Sequence, residues 1–132
     1  MAYRLKITVA NLVLEAVATA IPSSTSILEI YSGTIPTDAD TAVGAQTLLA
    51  SITLPASAWA AASSRSLAKN GTWQDSSANA GSSTAPTWFR LKNAADTNRI
   101  DGTAGVGSGD MSFDGSITSG QVVTVSTFTV TV

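Results

Sequence analysis

Nine carboxylates, no histidine and no cysteine set the limits of the chemistry open to this 132-residue chain. Without those two residue types there is no Ser-His-Asp or Cys-His machinery, none of the usual zinc, haem or iron-sulfur ligands, and no disulfide. What remains is carboxylate chemistry, one glycine-rich stretch and three tryptophans. Asp96, Asp101, Asp110 and Asp114 carry the hard oxygen ligands that calcium takes, but their spacing fits neither an EF-hand loop nor a glycine-aspartate repeat. Asp101-Gly102 and Asp114-Gly115 read instead as turns. Glycoside hydrolysis needs two carboxylates flanking a sugar, and nothing selects a pair among the nine. The stretch GTAGVGSGD, Gly102 to Asp110, misses the GxGxxG spacing, lacks a P-loop lysine and opens no helix, so it reads as a turn between strands rather than a phosphate cradle. Asn70-Gly71-Thr72 has the form of a glycosylation acceptor and is read as a turn. Trp59, Trp73 and Trp88 are suited to core packing, to stacking on sugars or to anchoring a protein partner. Trp88 is expected to be the exposed one, because it alternates with Arg90 and Lys92 on one strand face. The residues thus point away from an enzyme, with no catalytic group, cofactor or metal expected.

Charge narrows the partners. Charged residues are 12% of the chain, where an ordinary soluble domain carries about 25%. The net charge is −2, and Arg4, Lys6, Arg65, Lys69, Arg90, Lys92 and Arg99 form no basic cluster, which argues against nucleic acid. Of the apolar residues 21 are alanine, and serine plus threonine number 36, so the polar surface is hydroxyl rather than ionic. Such a surface loses little hydration and little side-chain entropy when covered, which suits packing into an assembly.

The elements that must position these residues are legible as periods. The start of the chain, with Arg4 and Lys6 ahead of an apolar stretch, has the outline of a signal peptide, but Asn11 and Glu15 interrupt it. Val9, Leu12, Val13, Ala16, Val17, Ala20 and Ile21 follow helical spacing, predicting an amphipathic helix over about residues 8–21, with Thr8 as N-cap and Pro22 as its stop. It is too short to span a bilayer. From there the period becomes two: Ile27 to Tyr31, LLASITL at 48–54, TWFRLK at 87–92 paired as a hairpin with Asn98 to Gly102, Met111 to Phe113, and QVVTVSTFTVTV at the end. In that last run Val123 and Val125 have one parity and Phe128, Val130 and Val132 the other, so either both faces are covered or a bulge near Ser126 and Thr127 resets the alternation. The tract 56–85 reads as a long surface excursion with one irregular strand near Ser66 to Trp73. The fold expected is mainly β: one domain over 1–132, a β-sandwich or jelly-roll-like unit over about 26–132 onto which the N-terminal helix packs.

The segments IYSGTIPTDADT, LLASITLP, PTWFRLKNAADTNRIDGTAG and SGQVVTVSTFTVTV together resemble a family of small virion structural proteins of tailed bacteriophages. The likeness runs from the helix to Val132, with the middle tract departing most. It implies a capsid decoration or cement protein, made in the host cytoplasm and placed on the capsid exterior. Its implied partners are the major capsid protein and neighbouring copies of itself, with no nucleic acid, membrane or small-molecule substrate. The alternatives are a tail, baseplate or fibre component contacting host surface glycans, and a carbohydrate-binding or hydrolytic β-domain. Contacts are expected from Ala2, Tyr3, Arg4 and Lys6 and from Trp59, Arg65, Trp73 and Trp88. The first group and the tract from Trp59 to Trp73 lie outside the regular sheet and carry the unpaired aromatics.

Overall fold

The computed structural model describes residues 4–79 and 83–132 and is mainly β, with one N-terminal helix. Helix α1 spans Ile7–Ala20, and Ile21, ahead of Pro22, closes it with an N–H bond to the Val17 carbonyl. Its N-cap is Lys6, whose side chain makes no capping bond. Thr8, the expected cap, lies inside the first turn.

Nine strands follow among the described residues: β1 Ile27–Ser32, β2 Thr47–Thr53, β3 Ser66–Ala68, β4 Trp73–Asp75, β5 Trp88–Lys92, β6 Arg99–Val106, β7 Met111–Phe113, β8 Val123–Val125 and β9 Thr129–Thr131. The principal sheet has the order β2-β1-β5-β6-β7, antiparallel except for the β6–β7 pair. Between β1 and β2 the register slips so that Ile30 faces Ala50 but Tyr31 faces Leu48. The extra residue, Leu49, turns inward beside Ala50, and both are fully buried despite being sequence neighbours.

The middle tract departs from expectation most. It holds two strands, and both pair with the C-terminal run: β3 with β9 and β4 with β8. Their registers, together with the Lys69 N–H bond to the Phe128 carbonyl, describe one long antiparallel ribbon interrupted at 70–72 and 126–127. Of the two alternatives left open by the parity of this run, the interruption matches the reset near Ser126: Val123 and Val125 are buried before it and Phe128 after it. The ribbon lies beside β2, tied by the Ser51 N–H to Asp75 Oδ2 at 2.9 Å and the Asn79 N–H to the Leu49 carbonyl at 2.8 Å. Its β8 end approaches β7, so the sheets curl around one interior.

That interior holds Leu28, Ile30, Ile52, Phe89, Leu91, Met111, Phe113, Val123 and Val125 around an aromatic cluster. Trp59 meets Trp73 edge-on at 5.2 Å, and Phe128 lies 5.9 Å from Trp73 and 5.4 Å from Phe89. The opposite face of the β5–β6 hairpin is covered too. The segment 33–46 crosses it, with the Thr41 carbonyl accepting from the Arg90 guanidinium and the Ala39 carbonyl from that of Arg99. Trp88, expected outside, is therefore fully buried, stacked on Tyr31 at 4.5 Å and 11°.

Candidate functional site

The covering of the hairpin leaves its charges satisfied within the chain. Arg90 is 2% exposed and pairs with Asp101 through two bonds, Nε to Oδ1 at 2.8 Å and Nη2 to Oδ2 at 2.7 Å. Such forked pairing and a third bond to a carbonyl are what make a buried guanidinium tolerable. Lys92 pairs with Glu29 at 2.9 Å, and Arg99 with Asp96 at 2.6 Å. The Arg99 guanidinium holds the Asp96 carboxyl below its usual range, and the Thr103 N–H and hydroxyl do the same for Asp110. Burial, then the hydrogen bond donated to Glu29, pushes the Tyr31 phenol upward, so it stays neutral. The four aspartates considered for calcium therefore do not converge. Asp96, Asp101 and Asp110 are engaged by Arg99, Arg90 and Thr103, and Asp114 lies apart in a groove between β7 and β8. That groove, about 470 Å³, is lined mostly by polar side chains, among them Ser112, Gln121 and Thr124.

Lys69 donates to the Gly71 carbonyl and lies 5.8 Å from the Trp73 ring. Arg65 donates to the Leu5 carbonyl. Arg4 and Lys6 alone among the described cations make no ion pair and no side-chain hydrogen bond, and both are exposed at the start of α1.

Helix α1 carries apolar surface that the fold does not use up. Ten of its fourteen residues are apolar, too many for one face. Ala10 and Leu14 are buried where the helix packs on β3, beside the buried Leu67. The stripe expected to face the core points the other way: Val9 is 45%, Leu12 69% and Val13 43% exposed, with Ala16 exposed beyond them. Of the expected stripe only Ile21 is buried. The reason is the anchoring. The Arg65 N–H donates to Asn11 Oδ1 at 3.1 Å and the Ala62 N–H to Glu15 Oε1 at 2.6 Å, so Asn11 and Glu15 are turned toward the chain. Trp59 Nε1 donates to the Ile21 carbonyl at 2.8 Å and Asn98 Nδ2 to that of Ala20 at 3.2 Å, holding the C-terminal end. Arg65 acts from a two-residue turn in which Ser64 and Arg65 both have positive φ, closed by reciprocal bonds between Ser63 and Ser66. Two non-glycine residues in that region are costly and persist where their surroundings over-determine them.

Of the residues expected to make contacts, Ala2 and Tyr3 lie outside the described residues. Arg4 and Lys6 are exposed at the helix start, and Arg65 is the exposed clasp on α1. Trp73 and Trp88 are fully buried and Trp59 is half-buried with its indole N–H engaged. Their rings serve the fold: the tract holding Trp59 and Trp73 is paired rather than excursive, and Trp88 lies in β5 stacked on Tyr31. Sequence reasoning passed over Ala10 and Leu14, although the excess of apolar residues around the helix was the signal for a second face. No family model, no curated protein and no solved structure matches this chain.

Proposed function

We propose that this chain is a non-enzymatic virion structural protein, a small β-sandwich or jelly-roll-like domain that binds the major capsid shell from outside and bridges neighbouring subunits. The observation that carries this reading is the exposed apolar stripe Val9, Leu12, Val13 and Ala16 on a helix anchored from behind. It amounts to roughly 300 Å² in one stripe, the size of the largest apolar patch on a typical monomer, which is often functional. The pairing of Arg90, Lys92 and Arg99 with carboxylates of the same chain supports the same reading, since a surface with little free charge is inexpensive to dehydrate. Many weak copies on one shell gain strength by multivalency. The likeness to small phage virion proteins points in the same direction.

The test is the copy number of the protein in purified particles and its dependence on the stripe. A capsid role gives hundreds of copies, and Leu12→Asp lowers occupancy at least tenfold while the isolated variant stays folded. Low counts in multiples of three or six, or undiminished occupancy, refute it. A second reading, a tail component contacting host glycans, is favoured by the polar groove holding Asp114 and Gln121. Glycan-array binding abolished by Asp114→Ala is the result that supports that reading over the first.

A further inference from the structure

We infer that the outward face of α1 is covered by the same face of a second copy, the two helices antiparallel about a two-fold axis between Leu12 and Val13. The inference rests on the reading of this stripe as an assembly contact and names its occupant.

Charge selects the partner. A helix is positive at its N-terminus and negative at its C-terminus, so carboxylates suit the first turn and cations the last. Helix α1 has no acidic residue in its first turn and no basic one in its last. Arg4 and Lys6, unpaired, sit at the end where their sign is unfavourable. An antiparallel second copy reverses this. Each N-terminal end, with its two cations, lies along the partner's C-terminal half, where the partial charge is negative and no cation competes.

Shape agrees with charge. The stripe is bulky toward its start, at Val9, Leu12 and Val13, and small toward its end, at Ala16 and Ala20. A two-fold axis between Leu12 and Val13 sets Val9 of one copy opposite Ala16 of the other and brings Leu12 beside Val13, so large meets small at each end. The one charged side chain within α1, Glu15, accepts from the Ala62 N–H. At roughly 300 Å² of exposed apolar surface per helix the contact is smaller than the ~800 Å² per partner of a standard stable interface, so the pair is weak and is best trapped covalently.

The absence of cysteine makes that trapping clean. Val13→Cys, Leu12→Cys, Val9→Cys and Ala16→Cys chains, with Val122→Cys as a control at an exposed valine outside the stripe, are oxidised at about 100 µM and resolved without reductant. Val13→Cys and Leu12→Cys each give at least tenfold more linked dimer than Val122→Cys. Val9→Cys alone gives only the control level, because at 1.5 Å per residue its two copies lie about 10 Å apart along the axis. Mixing Val9→Cys with Ala16→Cys restores linkage. Control-level linkage at both Val13 and Leu12, or efficient self-linkage at Val9, overturns the inference. Circular dichroism and thermal midpoints matching the parent chain accompany each variant. If the cysteine variants fail to link while Leu12→Asp empties the particle, another protein covers the stripe, the inference falls and the assembly reading stands. If they link while occupancy is unaffected by Leu12→Asp, the pair stands and the capsid reading falls.

Discussion

Gly102→Ala is a single added methyl whose cost follows from the register of one strand pair. Gly102 lies in β6 directly opposite Phe89 of β5, and a Cβ there would stand 2.5 Å from Phe89 Cζ and 2.6 Å from Cε1. Carbon atoms pack best at about 3.5–4.0 Å, so the ring would have to retreat by about 1 Å or more. It has little room: Phe89 is 1% exposed and meets Phe128 edge-on at 5.4 Å, and Phe128 is itself set against Trp73. Overpacking of this kind costs about 1–3 kcal/mol, and replacing a strand glycine returns about 0.5–1 kcal/mol of backbone entropy. The net loss is about 1–2 kcal/mol, equivalent to a Tm lower by roughly 4–8 °C for a domain of this size. Thermal and urea unfolding measure it, with an unchanged urea slope expected because the unfolded state is unaffected. Phe89→Leu in the same chain opens space for the methyl, so the double-mutant cycle should return a favourable coupling of about 1 kcal/mol. A Gly102→Ala protein as stable as its parent, or a strictly additive cycle, would refute the argument.

Asp101→Asn leaves the Arg90 guanidinium buried with its charge uncompensated and should cost about 3–5 kcal/mol in urea unfolding. Leu14→Ala, at a buried position, should cost about 2–5 kcal/mol, whereas Leu12→Ala, at 69% exposure, should stay within about 0.5 kcal/mol in thermal unfolding of the dilute chain. Ser64→Gly relieves a positive φ and should raise stability by about 1 kcal/mol, measured the same way. On the alkaline side, the Tyr31 phenol is raised above its ordinary 10.0 in the fold. The stability it contributes is complete below pH 10 and is lost as pH rises above that value; urea midpoints should fall there, and less steeply in Tyr31→Phe. On the acid side, Asp96 and Asp110 are lowered from 3.8, so their contribution holds above that pH and urea midpoints should fall as pH drops below it.

Much of this architecture is written in local periods. The helix, its stop at Pro22, the β5–β6 hairpin and the change of parity before Phe128 are all legible, because each depends on residues within a few positions of one another. So is the exclusion of histidine- and cysteine-dependent chemistry, which depends on composition alone. What only the tertiary structure decided are the questions of which surface meets which. Asp101-Gly102 has the composition of a turn yet lies in a strand, since Arg90 claims the carboxylate and Phe89 the space over the glycine. Trp88 alternates with charged residues yet is buried, since a segment some fifty residues earlier in the chain lies across its face. The middle tract, rich in loop-forming residues, finds strand partners in the C-terminal run. The helix shows the division most sharply. Its spacing announces an apolar stripe, but Ala62 and Arg65, about fifty residues away in sequence, turn Asn11 and Glu15 toward the chain and leave that stripe facing outward. A period says that a face exists; only the distant groups that hold the element determine what it faces.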